Sequence, residues 1–249
     1  MRIVCMVPSW TETLIEAGAD VVGRTRFCIH PRGRVKSIAA IGGTKEWDLQ
    51  KLRALQPDLV VLDQEENTRE MGGIADVPLA ITHVQGIEDM PGELRKLGAE
   101  TGLTKLSKYA DRFQKILDTP FPPIALESLP SVKEWLHPLR KGQRIDKIIY
   151  VIWRNPWMAV SRQTYIGSLL ERVVGPGKVL EADVPYPQIE FENLNEESTL
   201  LLFSTEPFPF AKQKAELRTL RFASAIVDGE MWSWFGIRSL RFLESFSSL

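Results

Sequence analysis

The chain has 249 residues, is 44% hydrophobic and 25% charged, and carries a net charge of -1, a composition that suits a globular protein long enough for two lobes. The charge balance gives no electrostatic case for nucleic acid or for an anionic membrane surface. No apolar run approaches the roughly 18 residues of a membrane span, and two cysteines, Cys5 and Cys28, do not make a disulfide framework.

Residues 2–7 read as a core strand that begins straight after Met1. With no basic region and apolar signal segment ahead of it, the chain as written is expected in the cytoplasm. A trimmed or misassigned start would place it in the periplasm. Pro8 ends the strand, and Ser9-Trp10-Thr11-Glu12 fits a capping box for a helix that closes at Ala17-Gly18. Residues 21–23 are a second strand, 24–33 an irregular loop rich in functional side chains, and 38–43 a stretch ending in a Gly42-Gly43 turn. Residues 49–67 give a short helix, a Pro-Asp turn, a buried strand and an acidic cluster. A further strand, 78–82, ends at His83. Residues 87–117 are mostly helical in pattern, and 105–117 reads as one unbroken amphipathic helix.

A Pro-rich stretch, 119–130, follows, and 131–142 shows no pattern beyond a helical turn or two. The second half opens with a buried strand at 147–152 and an amphipathic helix at 165–174. Residues 194–203 then echo the earlier unit: a polar helical turn, a break and a buried apolar strand. A strand at 223–227 and a terminal helix at 232–246 complete the chain. The expected organisation is an N-terminal α/β lobe (1–86), a connector helix region (87–118), a Pro-rich linker (119–144) and a C-terminal α/β lobe (145–249). Strands alternating with helices predict two Rossmann-like lobes with mainly parallel sheets, joined by one long helix, with a ligand cleft between them.

The strand ends carry the candidate residues. Trp10, Trp153, Trp157, Trp232 and Trp234 all follow strand ends, a position that suits the walls of a ligand site. Glu65, Glu66 and Asn67 could hold a cation or a polar edge, and arginines such as Arg154 and Arg238 could clamp an anionic edge. Cys28 and His30 are the most metal-like pair. The alternative is that His30 is a polar loop residue and Cys28 is packing. There is no GxGxxG after a strand, no GxxxxGK[ST], no GxSxG and no HExxH.

In order along the chain, RIVCMVPSWTETLIEAG, VVGRTRFCIHP, LQKLRALQPDLVV, NPWMAVSRQTYIGSLLERVVG, VPYPQIEFENL and VDGEMWSW together resemble the periplasmic-binding-protein family for cobalamin and iron-chelate import, the helical-backbone metal receptor superfamily. The resemblance covers nearly the whole chain. It implies two α/β lobes on one rigid connector helix, with ligand held between them. His30 stands where the family's cobalamin receptor has a tyrosine, Thr44 and Tyr186 where it has tryptophans, and Met158 where it has a phenylalanine. Glu230 aligns near its aspartate and Trp234 near its arginine. The family docks on its membrane permease through one glutamate per lobe. Glu192 matches the second, and the first aligns at Arg69 with Glu70 beside it.

These readings combine into a non-catalytic, monomeric substrate-binding protein of the ABC-importer type that requires no cofactor. Its ligand is expected to be a cobalamin-like corrinoid or metal chelate, and its partner an ABC permease docked through Glu70 and Glu192. The expected ligand-binding residues are Trp10, His30, Glu65, Glu66, Arg154, Trp157, Tyr186, Glu230, Trp232, Trp234 and Arg238. The alternative is a cytoplasmic metal-dependent enzyme or metal-binding protein using Cys28, His30 and Glu230.

Overall fold

A computed structural model describes residues 1–119 and 122–247. The chain divides into two compact units, Met1–Pro120 with Trp234–Leu249, and Phe121–Ser233. The expected 145–249 lobe is thereby corrected at its end, because residues from 234 onward return to the first unit.

In the first unit the order is β1 (Arg2–Cys5), α1 (Pro8–Ala17), β2 (Asp20–Arg24), α2 (Arg32–Val35), β3 (Ala39–Ala40), α3 (Leu49–Ala54), β4 (Leu59–Asp63), β5 (Leu79–Thr82), α4 (Met90–Thr101) and α5 (Thr104–Asp118). The five strands form one parallel sheet in the order β3-β2-β1-β4-β5. The near-continuous apolar runs of β1 and β4 suit a parallel sheet covered on both faces. Val4, Met6, Val60 and Leu62 pack on Leu52 of α3 and on Met71.

The predicted capping box is not formed. Pro8 occupies the first turn of α1, Val7 is the N-cap and no side chain caps the helix. Proline suits that turn because its missing N–H would have had no helical partner.

The second unit runs through β6 (Val132–His137), β7 (Lys147–Trp153), β8 (Met158–Val160), α6 (Tyr165–Val174), β9 (Thr199–Ser204), α7 (Lys214–Leu217), β10 (Ala223–Val227) and α8 (Gly229–Ser233). Its sheet has the order β6-β10-β9-β7-β8, with β10, β9 and β7 parallel and both edge strands antiparallel. Strand β6 lies where the sequence showed only a turn or two. As an edge strand it is mostly half-buried and carries Lys133 and Glu134, so no apolar run marks it. The core gathers Ile149, Val151, Leu201, Phe203, Phe210 and Ile226.

The predicted terminal helix is broken in two. Gly236 (φ +82°) separates α8 from α9 (Ile237–Ser247). Helix α9 packs on α1 and α5 of the first unit. Buried Thr13 of α1 accepts the Ile237 N–H at 3.0 Å, supplying one partner for the start of α9. Arg238 grips Glu12 through two hydrogen bonds of 2.9 and 3.0 Å, and Arg112 of α5 grips Glu244 at 2.7 and 2.6 Å. A Cβ at position 236 would lie 2.1 Å from Thr13 Oγ1 on a left-handed backbone. Gly236→Ala should therefore destabilise the first unit by about 2–4 kcal/mol, from overpacking and backbone strain together. Urea denaturation checks this, and an unchanged midpoint would contradict it.

Candidate functional site

In an open parallel sheet, ligands gather beyond the carboxyl ends of the strands. At that end of the first sheet the polar side chains are tied into one buried network. Trp10 Nε1 donates to Thr82 Oγ1 (2.8 Å), and Thr82 Oγ1 donates to Asp63 Oδ2 (2.6 Å). Asp63 also accepts from the backbone N–H groups of Glu65 (3.0 Å) and Val84 (3.2 Å). Asn67 Oδ1 accepts from the Asp63 N–H (2.8 Å), while its Nδ2 donates to the carbonyls of Met6 (3.1 Å) and Thr44 (2.8 Å). Trp10, Asp63, Asn67 and Thr82 are all buried. Together they join the ends of β1, β4 and β5. Burial raises the Asp63 pKa above the usual carboxylate value, against the lowering pull of these hydrogen bonds.

The second sheet has its own network at the same end. Tyr150 donates to Ser204 Oγ (3.1 Å), which also accepts from the Glu206 N–H (3.3 Å). Thr205 Oγ1 accepts from the Gly229 N–H (2.9 Å), and Ser233 Oγ donates to Glu206 Oε1 (2.8 Å). A Cβ at Gly229 would stand 2.4 Å from Glu206 Cγ and 2.6 Å from Ser204 Oγ, so only glycine fits where α8 starts.

Several large apolar side chains are left exposed as well. Among the described residues, apart from Met1, the exposed large hydrophobic side chains are Phe27, Ile29, Trp153, Val184 and Tyr186. Phe27 (49% exposed) and Ile29 lie in the loop after β2, and Trp153 (42% exposed) ends β7. Tyr186 and Val184 lie on a segment that pairs along β8, where the Ser161 and Ala159 N–H groups donate to the carbonyls of Pro185 (2.9 Å) and Pro187 (3.0 Å). Some charged groups of the first unit are already engaged. Arg26 pairs with Glu46 (2.6 Å) and lies over the Phe27 ring (4.8 Å), and His83 Nε2 meets Glu65 Oε1 at 3.2 Å.

Several expected ligand residues turn out to be framework. Trp10 and Trp232 are fully buried and Trp234 nearly so, so they offer no wall to a ligand in this structure. Trp157 is half-buried and packs on Phe191, Phe203 and Phe210 of the second core. Arg238 is committed to Glu12, and Arg154 to Glu216 at 2.6 Å, so neither stands ready for an anionic edge. Tyr186 and Glu65 are exposed, while Glu66, Glu230 and His30 are half-buried. The His30 ring meets Trp234 edge-on, with centroids 5.2 Å apart.

The Cys28 thiol lies between Thr11 Oγ1 (3.2 Å) and Thr25 Oγ1 (3.1 Å), and burial raises its pKa, which disfavours a metal-binding thiolate. Among the described residues no three His, Cys, Asp or Glu side chains come together to hold a metal ion. The alternative built on Cys28, His30 and Glu230 therefore has no assembled ligand set. Trp153 was among the candidate wall residues, whereas Phe27, Ile29 and Val184 were missing from the predicted site. Their signal was available as large apolar residues in segments rich in charge, Pro and Gly, where a core has no use for them.

No protein-family model and no curated protein matches the chain. Solved structures do. An ABC transporter substrate-binding protein from Listeria monocytogenes superposes with a TM-score of 0.71 at 16% identity, over 99% of this chain and 97% of its own. The heme-complexed IsdE of S. aureus gives 0.70 at 15% identity, over 99% and 96%. The periplasmic vitamin B12 binding protein BtuF of Vibrio cholerae gives 0.68 at 14% identity, over 99% and 95%. The chain shares their fold. The α/β architecture expected from the sequence, with its two sheets, is the one found.

The buried carboxylate gives a pH-dependent consequence. With its folded-state pKa raised, Asp63 favours the native state most when protonated, and that contribution is lost as pH rises from the unfolded carboxylate value through the folded one. The stability of the native sequence should therefore fall relative to Asp63→Asn as pH climbs from about 4. Urea denaturation of both proteins at a series of pH values checks this, and a constant difference would contradict it.

Proposed function

We propose that the chain is a non-catalytic ligand-binding protein of the ABC-importer type, taking a cobalamin-like corrinoid or another metal chelate as cargo. The observation that carries this reading is a fold that matches substrate-binding proteins along 99% of the chain, with large apolar side chains left exposed on each unit, Phe27 and Ile29 on the first and Trp153, Val184 and Tyr186 on the second. Broad apolar faces suit the flat body of a macrocycle. Glu65, Glu66 and His30 on the first unit, and Glu230 on the second, are the polar side chains assigned to contact it. The metal arrives within the ligand, so the protein itself needs no cofactor.

A permease is the natural partner of such a receptor. Glu70 and Glu192 are both exposed, each on a short 3-10 turn, Arg69–Gly73 and Phe191–Asn193. Hydrogen bonds from its own backbone and from Thr68 hold Glu70 below the usual carboxylate range, so it meets a basic partner as an anion. The relatives named for the periplasm support the same compartment for this chain. Among the described residues no helix is long and apolar enough to cross a membrane.

A thermal-shift screen with cyanocobalamin, dicyanocobinamide, haem, ferric chelates and free divalent cations tests the reading, because a ligand that binds only the native state raises the melting temperature. A rise with a corrinoid or chelate and none with the free cations is the expected outcome. A rise with free cations alone would contradict it.

A further inference from the structure

A cavity of about 560 Å³ opens on the first unit beside β4 and β5. Its floor is apolar, formed by Leu62 near the end of β4 and Ile81 in the edge strand β5, both part of the packing of the first core. Gly72 and Gly73 form part of its wall, and without side chains they leave the space open. Arg69 and Gln64 are exposed and line it with polar groups.

The charge pattern around this cavity is uneven. Other cations near the carboxyl end of the first sheet have partners: Arg26 is paired with Glu46 (2.6 Å) and Lys45 donates to the Glu65 carbonyl (3.1 Å). Among the described residues Arg69 has no hydrogen-bond or ion-pair partner beyond the Coulombic influence of Glu70. That glutamate is itself held mainly by its own backbone and by Thr68. The Asp63 carboxylate on the inner wall is occupied by Thr82 and by the N–H groups of Glu65 and Val84. An open guanidinium and apolar side chains lining one cavity suit a carboxylate attached to a hydrocarbon body, because the planar fork can give two parallel hydrogen bonds.

We propose that this cavity is a binding site for a small organic carboxylate, with its apolar body on Leu62 and Ile81 and its carboxylate on Arg69. The site lies within the first unit and does not depend on the macrocycle reading.

Titration of the whole protein with benzoate and with benzamide, followed by amide NMR, tests it. Benzoate should shift the Gly72 and Gly73 amide signals and bind at least about tenfold more tightly than benzamide, which has the same ring without the charge. Arg69→Gln should reduce benzoate to the level of benzamide. Because Arg69 is exposed and without a partner, the melting temperature of that variant should match the native protein. Equal binding of the two probes, no binding of either, unchanged benzoate affinity in Arg69→Gln, or shifts confined to residues away from 62–81 would each overturn the proposal.

Discussion

A buried carboxylate at the meeting point of three strands governs the carboxyl end of the first sheet. Leaving such a group without partners costs several kcal/mol, so the chain must bring donors to it. Thr82 supplies one from the end of β5, and the backbone of Glu65 and Val84 supplies two more. Trp10 then donates to Thr82, and Asn67 fastens the same loop to Met6 and Thr44. Solving one electrostatic problem thus fixes the start of α1, the 64–67 loop and the exit from β5. Loops held this way reach a ligand with little conformational entropy left to lose.

The second unit ties its strand ends together mainly through hydroxyl and backbone groups. Tyr150, Ser204, Thr205 and Gly229 join the ends of its central strands through hydroxyl and backbone hydrogen bonds. Gly229 is forced by close approach rather than by composition. In the first unit, ion pairs extend the framework outward. The Arg238–Glu12 pair is half-buried and doubly hydrogen-bonded, and removing one partner would strand a charge in poor solvent. More exposed pairs such as Arg241–Glu16 add little.

Much of this architecture was legible in the sequence because parallel strands buried on both faces read as apolar runs, as at 59–62 and 200–203. Strand β6 escaped because an edge strand alternates and carries charge. The break at Gly236 escaped because the residue that demands it, Thr13, is more than two hundred positions away. The same distance hid the fate of Arg238, whose partner is Glu12. Among the candidate site residues, position after a strand end was a weak guide to exposure. Trp10 and Trp232 follow strand ends, yet both turn into the interior from the helices that begin there. Phe27 and Ile29 flank Cys28 and face outward while Cys28 is buried, an alternation the metal-like Cys28-His30 pair obscured.

The account makes the exposed apolar side chains of each unit contacts for the ligand and the buried networks the frame of the strand ends. Calorimetric titration of dicyanocobinamide and of haem into the native protein and into a Phe27→Ser/Trp153→Ala variant tests that division of labour most directly. The account predicts one-to-one binding of at least one of these macrocycles to the native protein, about tenfold or more weaker in the variant, with the two proteins melting at the same temperature. Equal affinity in both proteins, or no heat from either macrocycle with the native protein, would contradict it.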